Sequence, residues 1–367
     1  MSETNAKGPM SQRIEWLDVA KGLGIIFVIY GHTIFKDELW RIWIYSFHMP
    51  LFFFLSGITY NEEKYSDGRK FLVSKIKGIL IPYFIFCVIA LLRNIVEQLY
   101  MLLTMGKAFD GAVLVKKVIG IVVALRGSAW ACAAWFLPCI FVVFILMYGT
   151  FKAAQLWKAE KKVCMTVAAT VFLVAGLLYA KSGFPYVPWS IDAAFVAFFF
   201  TALGWLCKHT VTRSVKTTSC IAAIAIGGGT AFFNYRVSGA AVDMYSNRYG
   251  KPVLFFLAAI SGIVLIVRIS KLLGEKVGII SHVGRNSLFY YGMNVLVINL
   301  IEFAASAVLK MTWGTNALVR FVQCTIIVAL TLLFSRLFLP LYSGIEKRFV
   351  RLFDKYFGAF LWGKSKC

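Results

Sequence analysis

The chain has 367 residues, of which 60% are hydrophobic and only 15% charged, with a mean hydropathy of +0.75. Soluble domains carry roughly a quarter charged residues, so this composition excludes a water-soluble globular protein and places the chain in a bilayer. The net charge of +22 does not mark a nucleic-acid binder: the basic residues sit in short clusters between apolar runs, as retention of Lys and Arg in cytoplasmic loops produces.

The first fifteen or so residues are polar, and no cleavable signal precedes the first apolar run, which is expected both to target and to anchor the chain. Runs able to cross about 30 Å of hydrocarbon lie near 18–35, 44–60, 79–103, 129–150, 163–181, 190–207, 217–234, 252–269, 286–309 and 317–342. This predicts an all-α polytopic membrane protein with about ten transmembrane helices and both termini cytoplasmic. A polar N-terminus (1–15), one membrane domain (16–342) and a basic tail (343–367) divide the chain, in the bacterial inner, or cytoplasmic, membrane.

Loop charges support that count. The predicted inner loops carry Lys64, Arg69, Lys70, Lys75 and Lys77; Lys152, Lys158, Lys161 and Lys162; Lys208, Arg213 and Lys216; and Arg268, Lys271, Lys276 and Arg285. The predicted outer loops are poorer, except 104–128 with Lys107, Lys116, Lys117 and Arg126. There the segment 110–126 is expected to form a short amphipathic helix lying at the interface. The eight cysteines include no CxxC pair, which supports neither a disulfide framework nor a metal site.

An ionisable group inside a membrane helix is a functional candidate by default. The first helix carries Asp18, Lys21 and His32. Lys21 and His32 are eleven residues apart, within about 20° of one face and roughly 16 Å apart along the axis. His48 is expected to begin the second helix, just before Pro50. Arg93 and Glu97 are spaced i, i+4 in the third, and Asp192 enters the sixth from outside. One outer-half cluster of His32, His48, Arg93, Glu97 and Asp192 is the expectation, with a structural Arg93–Glu97 ion pair left open. On the inner side, Asp18 can hold Lys21 toward an anionic ligand, and Arg285 in VGRNSL (283–288) opens a helix N-terminus suited to phosphate. His209 and His282, in basic inner loops, read as structural.

These segments carry a resemblance. WLDVAKG with a following GH, SFHMPLFFFLSG (46–57), KGILIPYFIF (77–86), WFLPCIF (135–141), IDAAFVAFFFTALG (191–204) and VGRNSL occur in an order similar to the integral-membrane acyltransferase 3 family. The short members described as fucose or N-acetylhexosamine O-acetylase-like are the most similar. The resemblance implies transfer of an acyl group, acetyl above all, from acetyl-CoA to a hydroxyl of a cell-surface or lipid-linked glycan, with no metal. It makes His32 the catalytic base or acyl carrier, Lys21 a donor-side contact and His48 the second histidine of the short subgroup. In this reading Lys21, Asp18 and Arg285, with Lys75 and Lys77, meet the donor, while Glu97 relays protons and Arg93 stabilises an oxyanion. Two departures stand out: Asn294 occupies a position where many relatives have histidine, and the periplasmic transfer domain of larger relatives is absent from this sequence. Glycan-assembly proteins are the expected partners. The rival readings are a transporter of a small amino acid such as serine, as in the membrane part of racemase-fused relatives, and an assembly or export scaffold for polysaccharide.

Overall fold

An apolar segment in hydrocarbon must satisfy its own backbone, since each unpaired N–H or C=O costs several kcal/mol there, and an α-helix does so within one segment. The computed structural model describes residues 14–33, 38–65, 67–126, 134–212, 219–307, 310–312, 314 and 316–362. Among them there is no strand, only an isolated bridge between Asp243 and Arg248. Most of the N-terminal segment 1–15 and the last five residues of the tail lie outside the described residues.

The helices follow the predicted runs in order. They are α1 (Glu15–Thr33), α2 (Leu39–Thr59), α3 (Gly68–Lys75), α4 (Ile81–Met105), α5 (Gly111–Val123), α6 (Phe136–Leu156), α7 (Lys161–Ser182) and α8 (Ile191–Leu206). After them come the short α9 (Lys208–Thr212), α10 (Ser219–Ser238), α11 (Pro252–Leu273), the short α12 (Gly278–Arg285), α13 (Ser287–Ala307) and α14 (Ala317–Trp362). A π-helical segment, Ile76–Leu80, joins α3 to α4, so Gly68–Met105 runs as one helix. Among the described residues nine helices are long and apolar enough to cross a membrane. The charged and largely buried α1, with 19 residues, lies outside that set and matches the first predicted run. The tail does not begin as a separate unit: α14 passes through Pro340 and stays helical to Trp362.

Contacts between loops sort the helix ends onto two faces. On one, Glu62 meets Lys161 and the Trp205 indole, Lys208 donates to the Tyr60 carbonyl, Lys271 donates to the Val211 carbonyl, and Lys77 pairs with Asp354. On the other, Glu38 pairs with Arg320 at 2.5 Å and Arg126 with Asp192. The first is the face with the basic loops, which the charge pattern predicts to be inner, and the second is the predicted outer face. Glycines set the closest approach between spans: a Cβ at Gly57 would overlap the Thr201 carbonyl and one at Gly204 the Phe54 carbonyl, so α2 and α8 meet backbone to backbone.

Two expectations need correcting. The segment 110–126 does form a helix, α5, capped by the Asp110 carboxylate accepting from the Val113 N–H. It does not lie flat, however. Gln98 exchanges hydrogen bonds with Asp110 at its start, and the Tyr83 hydroxyl donates to the Ile121 carbonyl at its end, 2.7 Å away. From Gln98 to Tyr83 is about 22 Å along α4, so α5 doubles back against that helix. Nor does α2 begin near residue 44. It starts at Leu39, because Ile42 and Ile44 are buried and the aromatic segment before His48 is helical.

Candidate active site

Helix α1 supplies both ends of the site. Asp18, buried, and Lys21 stand near its inner end and His32 in its last turn. His32 is exposed between buried Gly31 and Thr33. What it faces is a cleft of about 540 Å³ between α1, α4 and α13, lined also by Phe86, Arg93, Ala134, Tyr291 and Asn294. Asn294 is buried. Its amide NH2 donates to the Tyr291 carbonyl, while its Oδ1 has no partner among the described residues. Asn294 therefore holds a buried, unpaired acceptor oxygen in the wall of the cleft that His32 lines.

His48 lies three turns into α2, buried, with Nδ1 2.8 Å from the Ile44 carbonyl and its ring 4.9 Å from that of Tyr45. A carbonyl only accepts, so Nδ1 carries a proton. His32 is within electrostatic range of His48, and so are Arg41 and Asp243. Arg41 escaped the sequence reading, where it stood before the second apolar run as an ordinary loop charge. Its Nε donates to the Gly31 carbonyl at 3.0 Å, and its guanidinium stacks 3.9 Å over Tyr45, tying the start of α2 to the last turn of α1. No spacing signal pointed to it, because the contact joins two different helices, α1 and α2.

The expected outer cluster divides. Arg93 shares the cleft with His32 and pairs with Glu97 at 3.2 Å, but Glu97 is 57% exposed and does not line the cleft. Asp192 belongs elsewhere. It pairs with Arg126, both side chains fully buried, and accepts from the Asn247 amide at 2.6 Å. Arg126 also donates to the carbonyls of Met244 and Tyr245. The exception among the outer loops is thereby reduced, since Arg126 is a buried partner and not a loop charge.

At the inner end, α12 crosses α1 at two glycines. A Cβ at Gly22 would overlap the Ile280 carbonyl and one at Gly284 the Asp18 carbonyl, which brings Arg285 to the end of α1 that carries Asp18 and Lys21. His282, read as structural from sequence, lies in the same helix. Its imidazole is held below the ordinary range by burial and then by the nearby cations Arg336 and Arg285. His282 Nε2 and the Nε and Nη1 of Arg268, at the inner end of α11, have no hydrogen-bond partner among the described residues. Lys75 and Lys77 are engaged otherwise: the Lys75 ammonium sits 3.5 Å over the Phe144 ring with Tyr60 and Phe71 around it, and Lys77 pairs with Asp354.

A bundle of membrane-length helices, with one histidine open to a cleft between them and cations at one end, defines a polytopic membrane protein. Residues 14–339 match the family model of the acyltransferase 3 acyltransferase domain, and the chain belongs to that family of membrane acyltransferases. No curated protein and no solved structure matches it.

Proposed function

We propose that the protein transfers an acetyl group from acetyl-CoA to a hydroxyl of a cell-surface or lipid-linked glycan, with His32 as general base. The observation that carries this reading is the exposure of His32 to a cleft shared with Arg93 and the orphan Asn294 Oδ1.

The donor's phosphates fit the inner end, where Lys21, Arg285, Arg336 and the unpartnered nitrogens of Arg268 and His282 gather. Its thioester arm runs along α1, which spans the roughly 16 Å from Lys21 to His32. His32 takes the proton of the acceptor hydroxyl as the oxygen attacks the thioester carbonyl. Arg93 faces the developing oxyanion. As the C–S bond breaks, the CoA thiolate recovers the proton from the imidazolium. His48, its Nδ1–H held by the Ile44 carbonyl, stands within electrostatic range of His32.

The test uses inverted membrane vesicles carrying wild type or His32→Ala, supplied with radiolabelled acetyl-CoA and glycan acceptor extracts. Label in the glycan fraction with wild type alone is the expected result. Equal label in a stably inserted His32→Ala protein would overturn the role of His32, and no label in either would overturn the acetyl-CoA reading.

A further inference from the structure

A second cleft, of about 650 Å³, opens where the outer ends of α7, α10 and α11 meet the loop 239–251. Its apolar floor is Leu177, Ala180 and Pro252, and its polar wall includes Lys181, Ser238, Asn247 and Arg248. Between Lys181 and Ser190, and between Arg236 and Pro252, the chain has four basic residues (Lys181, Arg236, Arg248, Lys251) against one acidic residue, Asp243. Retention of cations on the cytoplasmic side does not account for this, because these segments lie on the opposite face. Of the four, Lys181 and Arg248 line the cleft, Arg248 beside Asp243 at 3.3 Å, and the surplus charge of Lys181 answers to an anion in the aqueous phase.

The loop that walls the cleft also reaches the histidine site. Asp243 and Arg248 close a tight turn through paired backbone hydrogen bonds of 2.8 and 2.9 Å, and their side chains meet at 3.3 Å. Asp243 is within electrostatic range of His32 and His48, whereas Asn247, Arg248 and Tyr249 face the cleft. Arg126 and Asp192 fix the turn by holding Met244, Tyr245 and Asn247. The turn therefore lies between the outer cleft and the pair His32 and His48.

We propose that this outer cleft binds the anionic group, phosphate or carboxylate, of the glycan acceptor, through Lys181 and Arg248; the assignment to an acceptor rests on the acyltransferase reading above. Asn247 and Ser238 keep their bonds to Asp192 and Asn234, and the apolar floor suits the ring face of a neighbouring sugar. An anionic lipid headgroup offers the same chemistry, so the test separates the two sources.

The protein is placed in phosphatidylcholine nanodiscs without acetyl-CoA and titrated calorimetrically with glucose 1-phosphate, glucuronate and glucose. The expected result is binding of the two anionic sugars over glucose, weakened about tenfold in Lys181→Gln and further in Lys181→Gln/Arg248→Gln. Lys158→Gln, which removes an inner-face charge, leaves binding unchanged. Lys181→Gln keeps the Asp243–Arg248 turn, so its unfolding midpoint stays at the wild-type value and the loss reads as lost binding. Equal affinity for glucose and glucose 1-phosphate, or an unaltered Lys181→Gln, overturns the proposal. So does phosphatidylglycerol in the nanodisc if it displaces the sugars in a Lys181-dependent manner, which assigns the cleft to lipid. Binding is read without donor, so a failure of labelled acetyl transfer and a failure of this site are separate outcomes.

Discussion

Arg126 and Asp192 meet in an ion pair with both side chains fully buried, and through Arg126 the pair holds the backbone of Met244 and Tyr245. Removing one member of such a pair leaves an uncompensated buried charge, which costs about 3–5 kcal/mol, whereas replacing both by apolar residues costs far less. Asp192→Ala is expected to lower the unfolding midpoint sharply. Asp192→Leu/Arg126→Leu should recover most of that loss while leaving loop 239–251 less firmly held. Thermal unfolding in detergent would show it, and equal destabilisation by the single and double variants would refute the clamp.

Arg93 and Glu97 are paired yet face different surroundings. His32→Ala is expected to lower kcat by about 10²–10⁴-fold, the usual contribution of a positioned general base. Glu97→Gln breaks a half-exposed pair worth roughly 0–1 kcal/mol and is expected to change kcat less than about threefold. A loss with Glu97→Gln as large as with His32→Ala would restore Glu97 to the chemistry.

His282 supplies a pH test of the proposed donor site. Burial, Arg336 and Arg285 lower its pKa, so below the ordinary imidazole value of about 6.5 the unfolded chain binds more protons and stability falls as pH falls. A donor phosphate among these cations offsets them and raises the pKa, so donor binding takes up a proton. The KM for acetyl-CoA should then decrease as pH falls through that window, and His282→Gln should flatten the dependence. A wild-type KM that is constant from pH 7.5 to about 5.5 would exclude phosphate beside His282.

Gly284 packs on the Asp18 carbonyl, so Gly284→Val must push α12 away from α1. Overpacking of this kind costs about 1–3 kcal/mol. Because Arg285 follows directly, the KM for the donor is expected to rise more than kcat falls. A purely structural role would lower the amount of folded protein without changing the KM of what remains.

The order and number of membrane helices were legible in the chain because backbone satisfaction in lipid forces a long apolar run into a helix, whatever its neighbours. His32 was legible for a related reason, since an imidazole deep in such a run has few reasons to be there. Boundaries failed where tertiary burial replaced hydropathy: Trp40 and Arg41 read as loop yet belong to α2, whose Ile42 and Ile44 are buried against other helices.

Depth along a helix follows from the sequence at about 1.5 Å per residue, so Lys21, His32, Arg93 and Asn294 could be placed by height. Rotation and partnership could not. Asp192 and Arg93 were expected in one cluster, yet Asp192 turned to Arg126, and that pairing depends on a chain segment doubling back along α4. Sequence by itself determined the lipid environment, the helix order and the two charged faces, because each is a local sum of transfer energies. Only the tertiary structure decided which polar groups share a cleft, because desolvation makes each buried charge take the partner that packing brings within reach.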